Sequence, residues 1–452
     1  MIRPLVPLLL AASILLGGNG VLGTLIALRG KLEGFDTALV GLMGACYYAG
    51  FFIACFSAAR LIRSIGHVRA FASLAAVGAI VPLFMAMAVN AWLWLALRVV
   101  SGFCFSALLM VIESWLNENS KNADRGRVLG IYRMADLLAV TGTQFLIPLV
   151  GAGGYQIFSV VSLMYCLSLL PVSLSNRTRP AAPDTPKLQL GMVWRISPLA
   201  CLTALAIGLT NSAFRLIGPL YGIEIGLDTR AVVIFMALGI IGGAALQYPL
   251  GALSDRLGRR SVVLFSTLGA MLAAVFLARQ GVGAVWPVYA GGLLFGAFAL
   301  PLYSLAAAHA NDRAQPGQYV LVAAGLIFWF SSGAVIGPYA AALVIQHFGA
   351  AAFFVYTCAV HGALALVVIV RSRRRAPVPA GQRAKFVGLL RTSPMFSRMA
   401  RHVIQVKRKP PESGRHLLEL WGGWIQVRKT PPASDDGDGD DGDDGAGGRG
   451  RP

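Results

Sequence analysis

Charge is scarce in this chain, and negative charge scarcer still. Only 13% of its 452 residues are Asp, Glu, Lys or Arg, with 20 acids set against 39 bases. So little charge beside 56% apolar residues cannot clothe a water-soluble domain of this length. With a mean hydropathy of +0.67, the bilayer must be the solvent. The formal net charge of +19 would suggest nucleic acid in a soluble protein. Here most arginines stand in short turns between apolar runs, as orientation signals do, and no nucleic-acid surface is implied. Cysteine is sparse and never in C-x-x-C spacing. Cys46, Cys55, Cys104, Cys166, Cys201 and Cys358 all fall in apolar runs, as small packing residues rather than disulfides or metal ligands. The six histidines form no H-E-x-x-H, and no G-x-x-x-x-G-K-[ST] occurs, which argues against an ATP-driven pump within the chain. No catalytic constellation, cofactor site or metal site is expected. The apolar N-terminus continues to Leu28 without an A-x-A site, so it is expected to be an uncleaved first span.

What the chain has in quantity is apolar runs of about 20 residues, the length that crosses a bilayer. They predict an all-α polytopic membrane protein of about 12 transmembrane helices. The spans are placed near 5–28, 38–60, 70–89, 92–116, 128–150, 155–175, 197–221, 230–253, 261–280, 283–308, 319–345 and 351–370. Turns on one side carry Arg60, Arg63, Arg69, Arg125, Arg127, Arg256 and more, whereas the opposite turns carry only Arg29, Lys31, Arg230 and Arg279. Cationic turns stay cytoplasmic, so both termini are expected in the cytoplasm.

The most distinctive turn is LQYPLGALSDRLGRRSV (246–262), which contains Gly251, Asp255, Arg256, Gly258, Arg259 and Arg260 in the order G-x-L-x-D-R-x-G-R-R. It resembles the signature loop between the second and third helices of each half of major facilitator superfamily permeases. ESWLN (113–117), RGRVLGIY (125–132), QYPLGALSD (247–255) and HANDR (309–313) are similar to a bacterial subgroup whose substrates are unknown. The resemblance covers about residues 5–370 and implies two six-helix halves and location in the bacterial inner membrane. SAARLIRSIGHVRAF (57–71) can be laid on YPLGALSDRLGRRSV (248–262) with Gly66 against Gly258. Arg63 then stands in place of Asp255. The division is expected to be a first half over 1–175, a flexible cytoplasmic linker over 176–196 and a second half over 197–370. A mostly disordered cytoplasmic tail, basic then acidic, follows over 371–452. In that tail VIQVKRKPPES (403–413) is echoed by WIQVRKTPPAS (424–434), ahead of an aspartate run at 435–445. Arg371, Arg373, Arg374 and Arg375 can meet anionic headgroups, and the echoed segments can bind a cytoplasmic partner.

An ionisable group inside a span is costly and so invites a functional reading. Arg98 lies about two turns inside span 4, and with Gly102 resembles the superfamily's R-x-x-x-G motif, whose arginine is associated with proton coupling in some members. Asn211 and Arg215 are four apart on span 7 and so share a face. With Arg98, Asn19, Gln247, Tyr303 and Trp329 they make up the expected central site. On the cytoplasmic side, Glu113, Arg133 and Asp136 are expected to join the signature-loop residues and Arg313 in a charge network across the seam between halves. In the superfamily such a network closes the inner gate. Gly333 and Gly337-Pro338 are expected to bend span 11, with Gln144 and Pro148 in a comparable place in span 5. His361 is expected to be a packed histidine. G-x-x-x-G-P, which marks many antiporters in span 5, is absent because Ile147 replaces its last glycine.

The implied function is a secondary active transporter that moves a small solute by alternating access, driven by protons, with an anionic or zwitterionic solute favoured by two deep arginines. The alternative is a transporter-like membrane sensor that signals through its C-terminal tail.

Overall fold

The computed structural model describes residues 5–118, 125–173, 189–315 and 318–374, together with Val378, Arg383 and Phe386. The echoed basic segments, the aspartate run and linker residues 176–188 lie outside the described residues. The first half contains α1 (Val6–Leu32), α2 (Thr37–Ile65), α3 (His67–Met87) and α4 (Ala91–Glu118). It continues through α5 (Arg125–Thr143), α6 (Leu146–Val150), α7 (Gln156–Leu167) and α8 (Leu169–Ser173). After α9 (Leu190–Ile196), the second half contains α10 (Pro198–Glu224), α11 (Thr229–Leu257), α12 (Arg259–Ala278) and α13 (Val285–Ala299). It ends with α14 (Leu302–Asn311), α15 (Tyr319–Phe348) and α16 (Ala352–Arg374). Among the described residues ten helical segments are long and apolar enough to cross a bilayer, α13 and α14 together forming one of them. Two further crossings run through α5–α6 and α7–α8, giving twelve passes in two sets of six. Below, the arginine-rich end is the one holding Gly66 and Gly258, and the opposite end holds Glu33 and Gly226.

Three expected spans are broken, and each break stands just before a proline. α5 gives way to α6 ahead of Pro148, α7 to α8 ahead of Pro171, and α13 to α14 at Pro301. Proline has no N–H for the carbonyl four residues back, so the ladder loses a rung there. At the α7–α8 break the Ser168 hydroxyl donates to the Tyr165 carbonyl at 2.7 Å. α15 is one continuous helix with Pro338 inside it. Gly333 and Gly337 press against backbone carbonyls of Leu205 and Leu209 on α10. The linker also departs from expectation at its end. Residues 190–196 form α9, because Val193 packs over Gly325 and is buried there.

In a bilayer helices gain nothing from hiding apolar surface from each other, so close backbone approach at glycine does the joining. On α2 and α4, Gly50 lies against the Val99 carbonyl and Gly102 against the Tyr47 carbonyl. The corresponding pair in the second half is α11 and α13, where Gly242 meets the Leu293 carbonyl and Gly296 meets the Gly239 carbonyl. The two tight turns at the arginine-rich end match as well. Gly66 has φ 83° and ψ 160°, and Gly258 has φ 97° and ψ 142°, a region only glycine enters freely. The two residues aligned in the sequence thus share one backbone conformation, each between two long helices. All six cysteines are free, and Cys166 is exposed.

Overpacking such a contact costs roughly 1–3 kcal/mol. Gly296→Val is expected to lower the thermal unfolding midpoint in detergent, while Gly142→Ala, which meets open space, leaves it unchanged. A wild-type midpoint for Gly296→Val would contradict this packing.

Candidate functional site

Between the halves lies a cavity of about 190 Å³, lined from both sides. From the first half α1 contributes Asn19, α2 Tyr47 and Tyr48, α4 Arg98, α5 Arg133 and Asp136, and the α5–α6 break Gln144. From the second half α10 contributes Ser212 and Arg215, α11 Gln247, and α14 Tyr303 and Ser304.

Arg98 is 3% exposed. Its guanidinium lies 4.4 Å from the centroid of the Tyr47 ring, a cation–π contact, and its Nε donates to the Met43 carbonyl at 3.4 Å. Its Nη1 is buried without a hydrogen-bond partner. Tyr47 in turn donates its hydroxyl to Asn19 Oδ1 at 3.1 Å, so α1, α2 and α4 are tied together around this one cation. Across the cavity Arg215 is exposed, and among the described residues no hydrogen bond or ion pair reaches its guanidinium.

The third cation is Arg133, expected at the gate but found in the cavity wall. Its Nη1 pairs with Asp136 Oδ2 at 2.5 Å, and its Nη2 donates to Gln247 Oε1 on the other half at 3.2 Å. Gln247 passes the chain on by donating Nε2–H to Ser304 Oγ at 3.2 Å. α5 begins at Arg125, so Arg133 stands eight residues, about 12 Å, inside the helix. That depth puts it and Asp136 in the cavity wall rather than in the gate network expected at the cytoplasmic end of the span. Gln144, left outside the expected site, is a cavity residue too, with its Nε2 donating to the Gly20 carbonyl at 3.0 Å.

Asn19, Arg98, Arg215, Gln247 and Tyr303 therefore come together as expected, and Asn211 and Trp329 do not. The cavity faces Ser212 and Arg215, and Asn211, on the flank of that face, is fully buried with both amide atoms unpartnered. Trp329 turns toward α9 and packs on Trp194, ring centroids 5.6 Å apart. His361 is packed as expected, beside Phe295.

The signature loop holds a buried ion cluster, but the pairs it shows lie within the second half rather than across the seam. Arg259 pairs with Asp255 at 2.5 Å and with Asp312 at 3.0 Å, and donates to Ser254 Oγ at 2.6 Å. Arg259 and Asp312 are 4% and 8% exposed, so each charge depends on the others for solvation. In the first half His67 stands where Arg259 would, and its Nε2 is 3.0 Å from Ser114 Oγ. Glu113, expected at the gate, is fully buried and accepts from the Tyr132 hydroxyl at 3.3 Å, inside the first half. Arg256, Arg260 and Arg313 stand at the arginine-rich end.

The opposite end of the seam is closed. Lys31 and Glu224 form an ion pair between halves at 2.6 Å, and the Ala38 N–H donates to Gln346 Oε1 at 3.1 Å. Gly41 and Gly44 let α2 close onto Pro338 and Ala342 of α15.

Comparison with known proteins agrees with this geometry. A family model described as Major Facilitator Superfamily matches residues 8–278 and 236–432. An uncharacterized MFS-type transporter, YcaD, of Salmonella heidelberg (strain SL476) is 24% identical over 383 residues, covering 83% of this chain and 98% of the relative. The uncharacterized MFS-type transporter YE1530 of Yersinia enterocolitica is 24% identical over 395 residues, covering 86% and 99%. Among solved structures, the nucleoside transporter NupG superposes with a TM-score of 0.68 at 12% identity, covering 82% of this chain and 99% of that one. A bacterial homologue of the human lysosomal transporter Spinster, inward-facing and occupied, gives 0.66 at 15% identity, covering 84% and 97%. At these identities the structures show the fold alone. Family match, twelve passes and a cavity walled by both halves agree: the chain is a membrane transporter belonging to the major facilitator superfamily.

Proposed function

We propose that this chain is a proton-coupled secondary transporter of a small anionic or zwitterionic solute, which binds in the central cavity and is released by rocking of the two halves. The observation that supports it is the charge of the cavity wall. Three arginines, Arg98, Arg133 and Arg215, face one carboxylate, Asp136, among the lining residues, which leaves an excess of two positive charges in the cavity wall. Arg133 is already paired, Arg98 is stacked on Tyr47 with one nitrogen unpartnered, and Arg215 is exposed to the cavity. A carboxylate or phosphate between Arg98 and Arg215 would replace the solvation that buried Arg98 has lost and pair with the exposed Arg215. Asn19, Gln247 and Ser304 offer polar groups to the rest of the solute.

Asp136 is the proton acceptor in this reading. Protonation removes its charge, raises the excess in the cavity from two to three and so favours an anion. By linkage the anion favours the proton equally. Proton and solute then bind together, as symport requires. Orientation follows from charge: the arginine-rich end faces the cytoplasm, both termini lie there, and the membrane is the bacterial inner one. The partners of the chain are then the lipid bilayer, the solute and protons.

Thermal-shift screening of the purified protein against anionic, zwitterionic and cationic metabolites tests the substrate class, because a ligand that binds only the native state raises its midpoint. Anionic or zwitterionic hits are expected, with Arg215→Gln losing the shift while keeping the unliganded midpoint. A wild-type shift in that variant would remove Arg215 from the site. For the same solute in proteoliposomes, Asp136→Asn is expected to keep counterflow exchange and to lose accumulation driven by a pH gradient. Retained accumulation would show that Asp136 does not carry the proton.

A further inference from the structure

Two residues beyond the last helix are seated on the signature loop. Phe386 is 7% exposed, and its ring fills the notch left by the missing side chain of Gly251, where a Cβ would collide with it. The Tyr248 ring lies across it at 6.5 Å, nearly perpendicular. The Phe386 N–H donates to Asp255 Oδ2 at 3.0 Å. Three residues earlier, Arg383 donates through Nη1 to the carbonyls of Asp255 at 3.2 Å and Arg256 at 3.4 Å. Those carbonyls belong to the last turn of α11, which has no intrahelical partner for them and carries the negative end of the helix dipole. Arg383 is braced by its own Nε, which donates to the Val378 carbonyl at 2.9 Å. The strap thus combines an apolar plug, a backbone hydrogen bond and a cationic cap on one helix end.

The face it occupies matters. Gly251 lies four residues beyond Gln247 on α11, so the two share a helix face. Gln247 is where α11 meets α5 of the first half, through Arg133. Continuing along that face toward the arginine-rich end, the next place α5 could approach is the Gly251 notch. A glycine in a membrane helix is where a second backbone can come close, and here Phe386 already stands in it. The opposite end of the seam is closed by Lys31–Glu224 and by the α2–α15 glycine contacts.

We infer that Arg383 and Phe386 act as an autoinhibitory wedge: with Phe386 seated at Gly251, they hold α5 and α11 apart at the arginine-rich end, so that the halves cannot rock into the alternate state until they leave. The inference rests on the rocking motion proposed above. A ligand acts on such an equilibrium only by its differential affinity for the two states, and an intramolecular plug that fits one state alone biases the equilibrium in the same way. Cellular control would then need only to draw the tail away from the loop.

Spin labels at Leu32 and Val282, which are 65% and 82% exposed at the opposite end of the two halves, report opening there. They are placed in the full chain with its six native cysteines replaced, and distances are read by double electron–electron resonance. The wild type is expected to show a major short and a minor long distance. Phe386→Ala, Arg383→Ala and deletion of 378–452 are each expected to raise the long-distance fraction at least about threefold. Deletion of 387–452, which keeps the strap, should leave it at the wild-type value. Two distances in unchanged proportion in all variants would overturn the wedge and leave the rocking motion standing. A single distance in every sample would overturn both.

Discussion

Two bundles can rock in a membrane only if their walls meet closely and part without leaving a backbone polar group stranded in lipid. Here that is met by glycine. Gly41 and Gly44 bring α2 onto α15, and Gly208, Gly333 and Gly337 seat α15 on α10, so one helix of the second half is shared between its own bundle and the seam. Inside each half Gly50 with Gly102 and Gly242 with Gly296 repeat one interlock. Those contacts keep each bundle rigid, and rigid bundles are what let a small change at one end of the seam be felt at the other.

The halves match in backbone and differ in charge. Gly66 and Gly258 make the same turn, yet the first is followed by a His67–Ser114 contact and the second by the buried Arg259–Asp255–Asp312 cluster. The second-half loop also receives Arg383 and Phe386. The backbone frame repeats, whereas the buried ion cluster stands in the second half alone among these two turns. The cavity shows a similar division. The first half supplies Arg98, Arg133 and Asp136, and the second supplies Arg215 and the Gln247–Ser304 relay, so neither half alone makes the positive site.

Much of this was legible in the sequence, because a bilayer leaves few alternatives. Apolar length fixes the passes, arginine marks the turns, and Gly66 against Gly258 aligns the halves. Asn19, Arg98, Arg215, Gln247 and Tyr303 could be picked out because a polar group deep in a span needs a reason. The misses came from rotation and depth. Asn211 and Ser212 are adjacent, and about 100° of helix turn decides which meets the cavity. Trp329 looked like an aromatic wall but packs on Trp194 of α9, a helix hidden in what read as a flexible linker. Arg133 and Asp136 looked like gate residues because charge clusters at their end of the span. Only the start of α5 at Arg125 shows how deep they lie. Phe386 gave no signal in a polar tail, since nothing local says that its partner is a glycine more than a hundred residues upstream.

The central claim is that one cavity between the halves is open to each side of the membrane in turn. A cysteine at Ile240, a half-buried cavity residue on α11, in a background without the native six, tests it directly. A membrane-impermeant maleimide is added to intact cells and, separately, to inside-out vesicles. The account predicts reaction from both faces, slower from the outside because the opposite end of the seam is closed in this structure. Reaction from one face alone, however long the incubation, would contradict it.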